Sequence, residues 1–391
     1  MPLAGAIPLA AAISVGDMLD NCAELKPGQH VVIVAAVDGL YGGQNLVDEQ
    51  AVAWVQAGVQ QRGAHATVLW TDMPARPALI WGNDARPPQG WRVPKVVRAA
   101  IGAADVFINF CVDLSYEEEL KEVRDICAEH DVPMVRNMAT TAPLLCSAWA
   151  QTPYQLVSEI RFQTAALLEP GLRWKLTDAH GTHLEGTIAQ PQAVRAYASR
   201  RTEGLYRPFP EGVFPGAVSH DSEGVVAFEG TNPIWARHIG IPSRFSEPVR
   251  ATVSGGHIKE FSGGSDAATM RDCYRAISRF LGQAAYEIRG THGGVHPYAR
   301  VNEHQCPDPG YRDFIEHHHW SSTHVHLGNS QRTAEFPYNM HVTAEIHGAT
   351  LQVGDKFLWQ EGRLSALDHP KVLEIAEKYQ DRPGIEAGRW Q

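Results

Sequence analysis

Several large protein classes are excluded by what this chain lacks. Its six cysteines, Cys22, Cys111, Cys127, Cys146, Cys273 and Cys306, form no C-x-x-C pair. Neither a zinc ribbon nor a thioredoxin-type site is therefore expected, and the thiols read as reduced and mostly buried in a cytoplasmic protein. There is no basic stripe, and 34 Lys+Arg against 44 Asp+Glu leave a formal charge of −10. No nucleic acid and no membrane is expected as a partner. No apolar run approaches the roughly 20 residues of a spanning helix. The apolar opening Met1–Ile13 lacks a basic stretch ahead of it and leads into an acidic, helix-like segment. It reads as a folded N-terminus and not as an export signal. A G-x-S-x-G elbow, a G-x-G-x-x-G fingerprint and a P-loop are all missing. The glycine-rich stretch Asp38–Gly43 reads as an ordinary strand-to-helix turn, so neither a serine nucleophile nor a dinucleotide is expected.

What is present is material for two domains: 391 residues, 44% of them hydrophobic and 20% charged. The β-branched run His30–Val37 predicts a strand buried on both faces. Helical spacing over 47–61, 96–103 and 116–129 alternates with strands over 67–70, 106–110 and 132–137. Such alternation predicts an α/β domain with a doubly wound, mostly parallel sheet, assigned to residues 1–168 and closed by a helix over 155–168. After Pro170-Gly171 the texture changes to strand-like alternation, with turn signals at 178–181, 222–224 and 254–256. Residues 169–391 read as a β-rich α+β domain. One helix interrupts it, with Ser265 as its expected cap and Ala267, Met270, Cys273, Tyr274, Ile277 and Leu281 on its apolar face.

Histidine is the residue in excess. Ten of the 19 lie between His292 and His347, where an even spread would put about three. Ser322–Leu327 reads as a strand, so His324 and His326 share a face. Met340–His347 alternates too, placing His341, Thr343, Glu345 and His347 on one face and Val342, Ala344 and Ile346 on the other. If the two strands pair, imidazoles from both converge, and His292 in the glycine-lined segment Thr291–His296 is a third source. Neutral imidazoles bind zinc and iron, and three protein ligands leave positions open for substrate. His292, His324, His326 and His341 are the expected metal ligands. Glu345 can be ligand, orienter or acid/base. Glu211, in the proline-rigid segment Arg207–Phe214, is a further candidate carboxylate. His317-His318-His319, being consecutive, reads as an exposed or interface segment.

From Phe209 to Gly362 the chain resembles the leucyl aminopeptidase (aminopeptidase T-like) metallopeptidases. It resembles still more closely their relatives, the 2,5-dihydroxypyridine 5,6-dioxygenases, which are mononuclear non-haem iron enzymes. The carrying segments are Phe209–Phe214 (FPEGVF), Glu223–Glu229 (EGVVAFE), Val253–Lys259 (VSGGHIK), Gly290–Arg300 (GTHGGVHPYAR) and Met340–Thr343 (MHVT). The resemblance implies an iron ligand at His341, and the peptidases' strand histidine matches His324. It also exposes departures. Thr343 stands where the dioxygenases carry an aspartate, and Gly290 where they carry a histidine, with His292 two residues on. Their catalytic histidine falls on Leu114, beside Asp113, which becomes a candidate catalytic residue. Two peptidase glutamates fall on Val213 and Gly290.

The resulting expectation is one divalent metal, Fe(II), held by His292, His324 or His326, and His341, opening a small hydroxylated aromatic or nitrogen-heterocyclic ring. The alternatives are a zinc or manganese hydrolase of amides with Glu345 or Glu211 as base, and a non-catalytic homologue that has lost its ligands. A small-molecule substrate and a homo-oligomer are the expected partners.

Overall fold

The computed structural model describes residues 6–36, 47–71, 93–110, 117–189, 206–210, 212–232, 241–330, 340–383, 385 and 390, with the backbone alone over 117–121, 213–215, 329–330 and 340–341. The Asp38–Gly43 turn and Cys111 lie outside these residues. The five described free cysteines form no disulfide.

The first sheet is all parallel, in the order His65–Thr71, His30–Ala36, Val106–Asn109, Met134–Asn137, Tyr206–Phe209. Val31 to Ala35 are buried without a break, as expected of a strand covered on both faces. The helices Glu49–Gln61, Lys95–Gly102 and Glu117–Glu129 alternate with its strands. Asp48 caps the first of these by accepting from the Ala51 N–H, and its other oxygen accepts from Ala142 N–H at the next helix start. The fifth strand, Tyr206–Phe209, comes from beyond the α/β alternation and carries no helical partner in sequence to announce it.

The second part is antiparallel. An eight-stranded sheet runs in the order His257–Ser262, Arg244–Ser254, Glu223–Gly230, His183–Thr187, Arg173–Thr177, Thr350–Val353, Lys356–Gln360, Arg363–Leu364. A four-stranded sheet runs Met340–His347, Ser322–Ser330, Ile288–Gly294, Val213–Val218. Trp174, Leu176, Val226 and Phe228 from the larger sheet and Val325, Leu327, Val342, Ala344 and Ile346 from the smaller one belong to a single apolar core. The helix Ser265–Leu281 adds Ala267, Met270, Cys273, Tyr274 and Ile277 to it. Ser265 is the first helical residue and not the cap: Gly264 holds that position and no side chain caps the helix.

The helix Pro309–Glu316 ties the two parts together. Asp308 caps it, accepting from Tyr311 N–H at 2.7 Å, with proline in its first turn. Tyr311, Phe314 and Ile315 pack into the core of the first sheet, and the Tyr311 hydroxyl donates to the Met138 carbonyl. The chain leaving this helix at His317 is thereby held over the four-stranded sheet. Among the described residues no helix is long and apolar enough to cross a membrane.

Candidate metal centre

The small sheet has one face in the core and one bearing the polar residues. Val325, Leu327, Val342, Ala344 and Ile346 point inward, and the alternate positions His324, His326, Thr343 and Glu345 point the other way. Register then assembles a row. His292 pairs with His324, and His324 pairs with Glu345, so one line across three strands carries two imidazoles and a carboxylate. The next row pairs His326 with Thr343. The rings of His292, His324 and His326 have centroids 4.3–5.4 Å apart.

His317 enters from above. It lies at the C-terminal end of the docked helix, its ring 3.8 Å from that of His324 by centroids. Its Nδ1 is 2.8 Å from Glu345 Oε1. An ionised carboxylate only accepts, so the proton of this bond sits on Nδ1, and in the neutral ring the lone pair is on Nε2. Thr343 Oγ1 donates to the same carboxylate oxygen at 3.1 Å, and Ser322 Oγ donates to Oε2 at 3.2 Å. Burial pushes the Glu345 carboxyl up. The neighbouring His317 and His347 and the hydrogen bonds from His317 and Thr343 outweigh it, and the group sits below its ordinary value.

His317, His318 and His319 are all buried, at 4%, 5% and 1% exposure, which corrects the reading of this triplet as an exposed segment. The docked helix buries them. His318 donates from Nδ1 to the Phe314 carbonyl at 2.8 Å, and burial, with His317 beside it, holds its pKa down to about 3. His319 Nδ1 pairs with Ser321 Oγ at 2.7 Å. Consecutive histidines alternate only in a strand; at a helix end they fan out, and all three find cover.

Two groups of metal-binding type emerge, sharing His324. The ligand atoms of His317, His324 and Glu345 lie within 4.8 Å of one another, and so do those of His292, His324 and His326. The structure therefore brings together four of the sequence-derived residues, His292, His324, His326 and Glu345, and adds His317. His341 lies on the Met340–His347 strand, but its side chain is outside those described. Glu211 and Asp113 lie outside the described residues. Gly290 is a backbone position: its φ is +115°, and a Cβ there would run into the Ala217 carbonyl oxygen, so no side chain substitutes at this point of the strand.

Beside His317 and Glu345 is a cavity of about 280 Å³, which Asn232, Arg244 and Glu316 also line. His317 and Glu345 stand on its wall, and together with His324, which does not line it, they make a set of two imidazoles and one carboxylate that suits a divalent first-row metal. The signal that could have found His317 is the Asp308-Pro309 helix start followed by the apolar trio Tyr311, Phe314 and Ile315, which marks a docking helix ending at Glu316.

Comparison with known proteins bears on both parts. The solved 2,5-dihydroxypyridine dioxygenase from Pseudomonas putida KT2440 superimposes with a TM-score of 0.62 at 13% identity, covering 94% of this chain and 99% of that one. AmpT from Thermus thermophilus superimposes with a TM-score of 0.50 at 13% identity, covering 91% and 99%. These likenesses show the fold. No curated protein matches the sequence. A family model described as NicX, 2,5-dihydroxypyridine 5,6-dioxygenase, matches residues 15–320. The match includes His292 and His317 and stops before the strand of His324 and His326. Extending over more than half of the chain, it shows that this protein belongs to the 2,5-dihydroxypyridine 5,6-dioxygenase family.

Proposed function

We propose that the chain is a metal-dependent dioxygenase that opens a small hydroxylated aromatic or nitrogen-heterocyclic ring, with His317, His324 and Glu345 holding one Fe(II). The observation that carries the reading is this cluster of two imidazoles and one carboxylate, two members of which, His317 and Glu345, line a cavity sized for a single small ring. Iron bound by such a set supplies exchangeable positions and redox chemistry for a ring hydroxyl and dioxygen. The chain's own residues do the rest. Glu345 fixes the tautomer of His317, and Ser322 and Thr343 hold the carboxylate in place. The rings of His292, His317 and His326 pack around His324, which is 1% exposed. Arg244, across the cavity and 3.8 Å from Asp313, offers a cation to an anionic ring oxygen.

Oxygen uptake by tag-free, iron-loaded protein, screened against 2,5-dihydroxypyridine and other dihydroxylated monocycles, tests this. Ring-opened product with both atoms of dioxygen incorporated supports it. Oxygen-independent turnover of amides with zinc or manganese would replace it with the hydrolase.

A further inference from the structure

His292 carries a feature that separates it from the other histidines of the site. Across the pairing with the Val213–Val218 strand, Thr291 faces Ala217 and Gly293 faces Phe214. Residues 215–216 therefore stand opposite the single residue His292, a bulge of the kind that re-aims backbone and side chains near functional sites. At this bulge the Gly216 N–H donates to His292 Nδ1 at 3.2 Å. The approach requires glycine: a Cβ at residue 216 would run into the Thr291 carbonyl oxygen and come within 2.7 Å of the His292 ring.

A ring nitrogen that accepts an N–H bond is unprotonated, so in the neutral imidazole the proton sits on Nε2. A protonated nitrogen has no lone pair to give a metal. His317 is held in the opposite tautomer, because its Nδ1 meets a carboxylate. Two histidines beside His324 are thus set by their backs to opposite tasks, one as lone-pair donor and one as proton donor.

We propose that His292 is not a metal ligand but a fixed Nε2–H hydrogen-bond donor at the edge of the centre, which holds an oxygen of the bound hydroxylated ring. The identity of that ring rests on the dioxygenase reading; the tautomer and the exclusion from the metal do not.

The test uses full-length, tag-free protein carrying His292→Gln, which keeps an N–H donor, and His292→Leu, which does not. Metal content, anaerobic binding of 2,5-dihydroxypyridine and the ¹⁵N spectrum of histidine-labelled wild type are measured. The expected result is metal content equal to wild type in both variants. Binding of the probe should weaken at least tenfold in the leucine variant and only a few-fold in the glutamine variant. The His292 resonances, identified by their absence from the variants, should show an unprotonated Nδ1 and a protonated Nε2. Loss of metal in both variants, to the level of His324→Ala, or a protonated Nδ1, would overturn the proposal. A wild-type protein that holds metal but does not bind the probe sinks the substrate reading; the tautomer and the metal content then still decide the role of His292.

Discussion

His324 and Glu345 face each other directly across two antiparallel strands, and every other group of the centre is placed relative to this pair. His292 continues their row on one side, and His317 bonds to Glu345 from above.

In the proposed centre Glu345 is a ligand and also fixes His317, so Glu345→Gln should weaken iron binding at least tenfold, no less than the loss of a carboxylate that only orients a ligand. Thr343→Val removes one bond to Oε1 and should have a smaller effect in the same direction. Competition with a chelator gives both constants.

His317→Ala should abolish stoichiometric iron, whereas His304→Ala, an exposed loop substitution, should leave it intact. Equal iron content in the two variants would remove His317 from the set.

Phe314 is buried where the docked helix meets the first core. Phe314→Ala should cost about 3–5 kcal/mol by urea denaturation. Because the same helix delivers His317, iron affinity should fall with it even though Phe314 is no ligand.

Gly290→Ala or Gly290→His meets both a left-handed φ and the Ala217 carbonyl. Restoring the histidine that the relatives carry at this position should therefore not restore a ligand. The urea midpoint should drop by the equivalent of about 1–3 kcal/mol.

Burial holds His296 and His318 neutral, His296 well below its ordinary value and His318 at about 3. Below roughly pH 6.5 the unfolded chain binds protons on these rings that the folded chain refuses. Their contribution to stability is therefore complete above that pH and is lost as pH falls towards 3. Metal-free protein should show a falling melting temperature over this window, and His318→Phe should flatten the slope.

The period-two pattern of Ser322–Leu327 and Met340–His347 was enough to place His324, His326 and Glu345 on one face, because strand alternation is a local property. Their pairing follows from the chain reversal between them. The α/β alternation likewise announced the parallel sheet. The start of the helix before His317 was legible at Asp308-Pro309, but the burial of His317 was not, because it depends on that helix docking on a core assembled largely from residues 11 to 154. The Tyr206–Phe209 strand was hidden for the same reason: a four-residue edge strand is recruited by tertiary pairing. The tautomer of His292 depends on a bulge 76 residues away in sequence, and no spacing rule reports it.

The most direct measurement is anomalous diffraction at the iron edge from crystals grown anaerobically with Fe(II). One peak bounded by His317, His324 and Glu345 is the predicted result. A peak among His292, His324 and His326, away from Glu345, would contradict it.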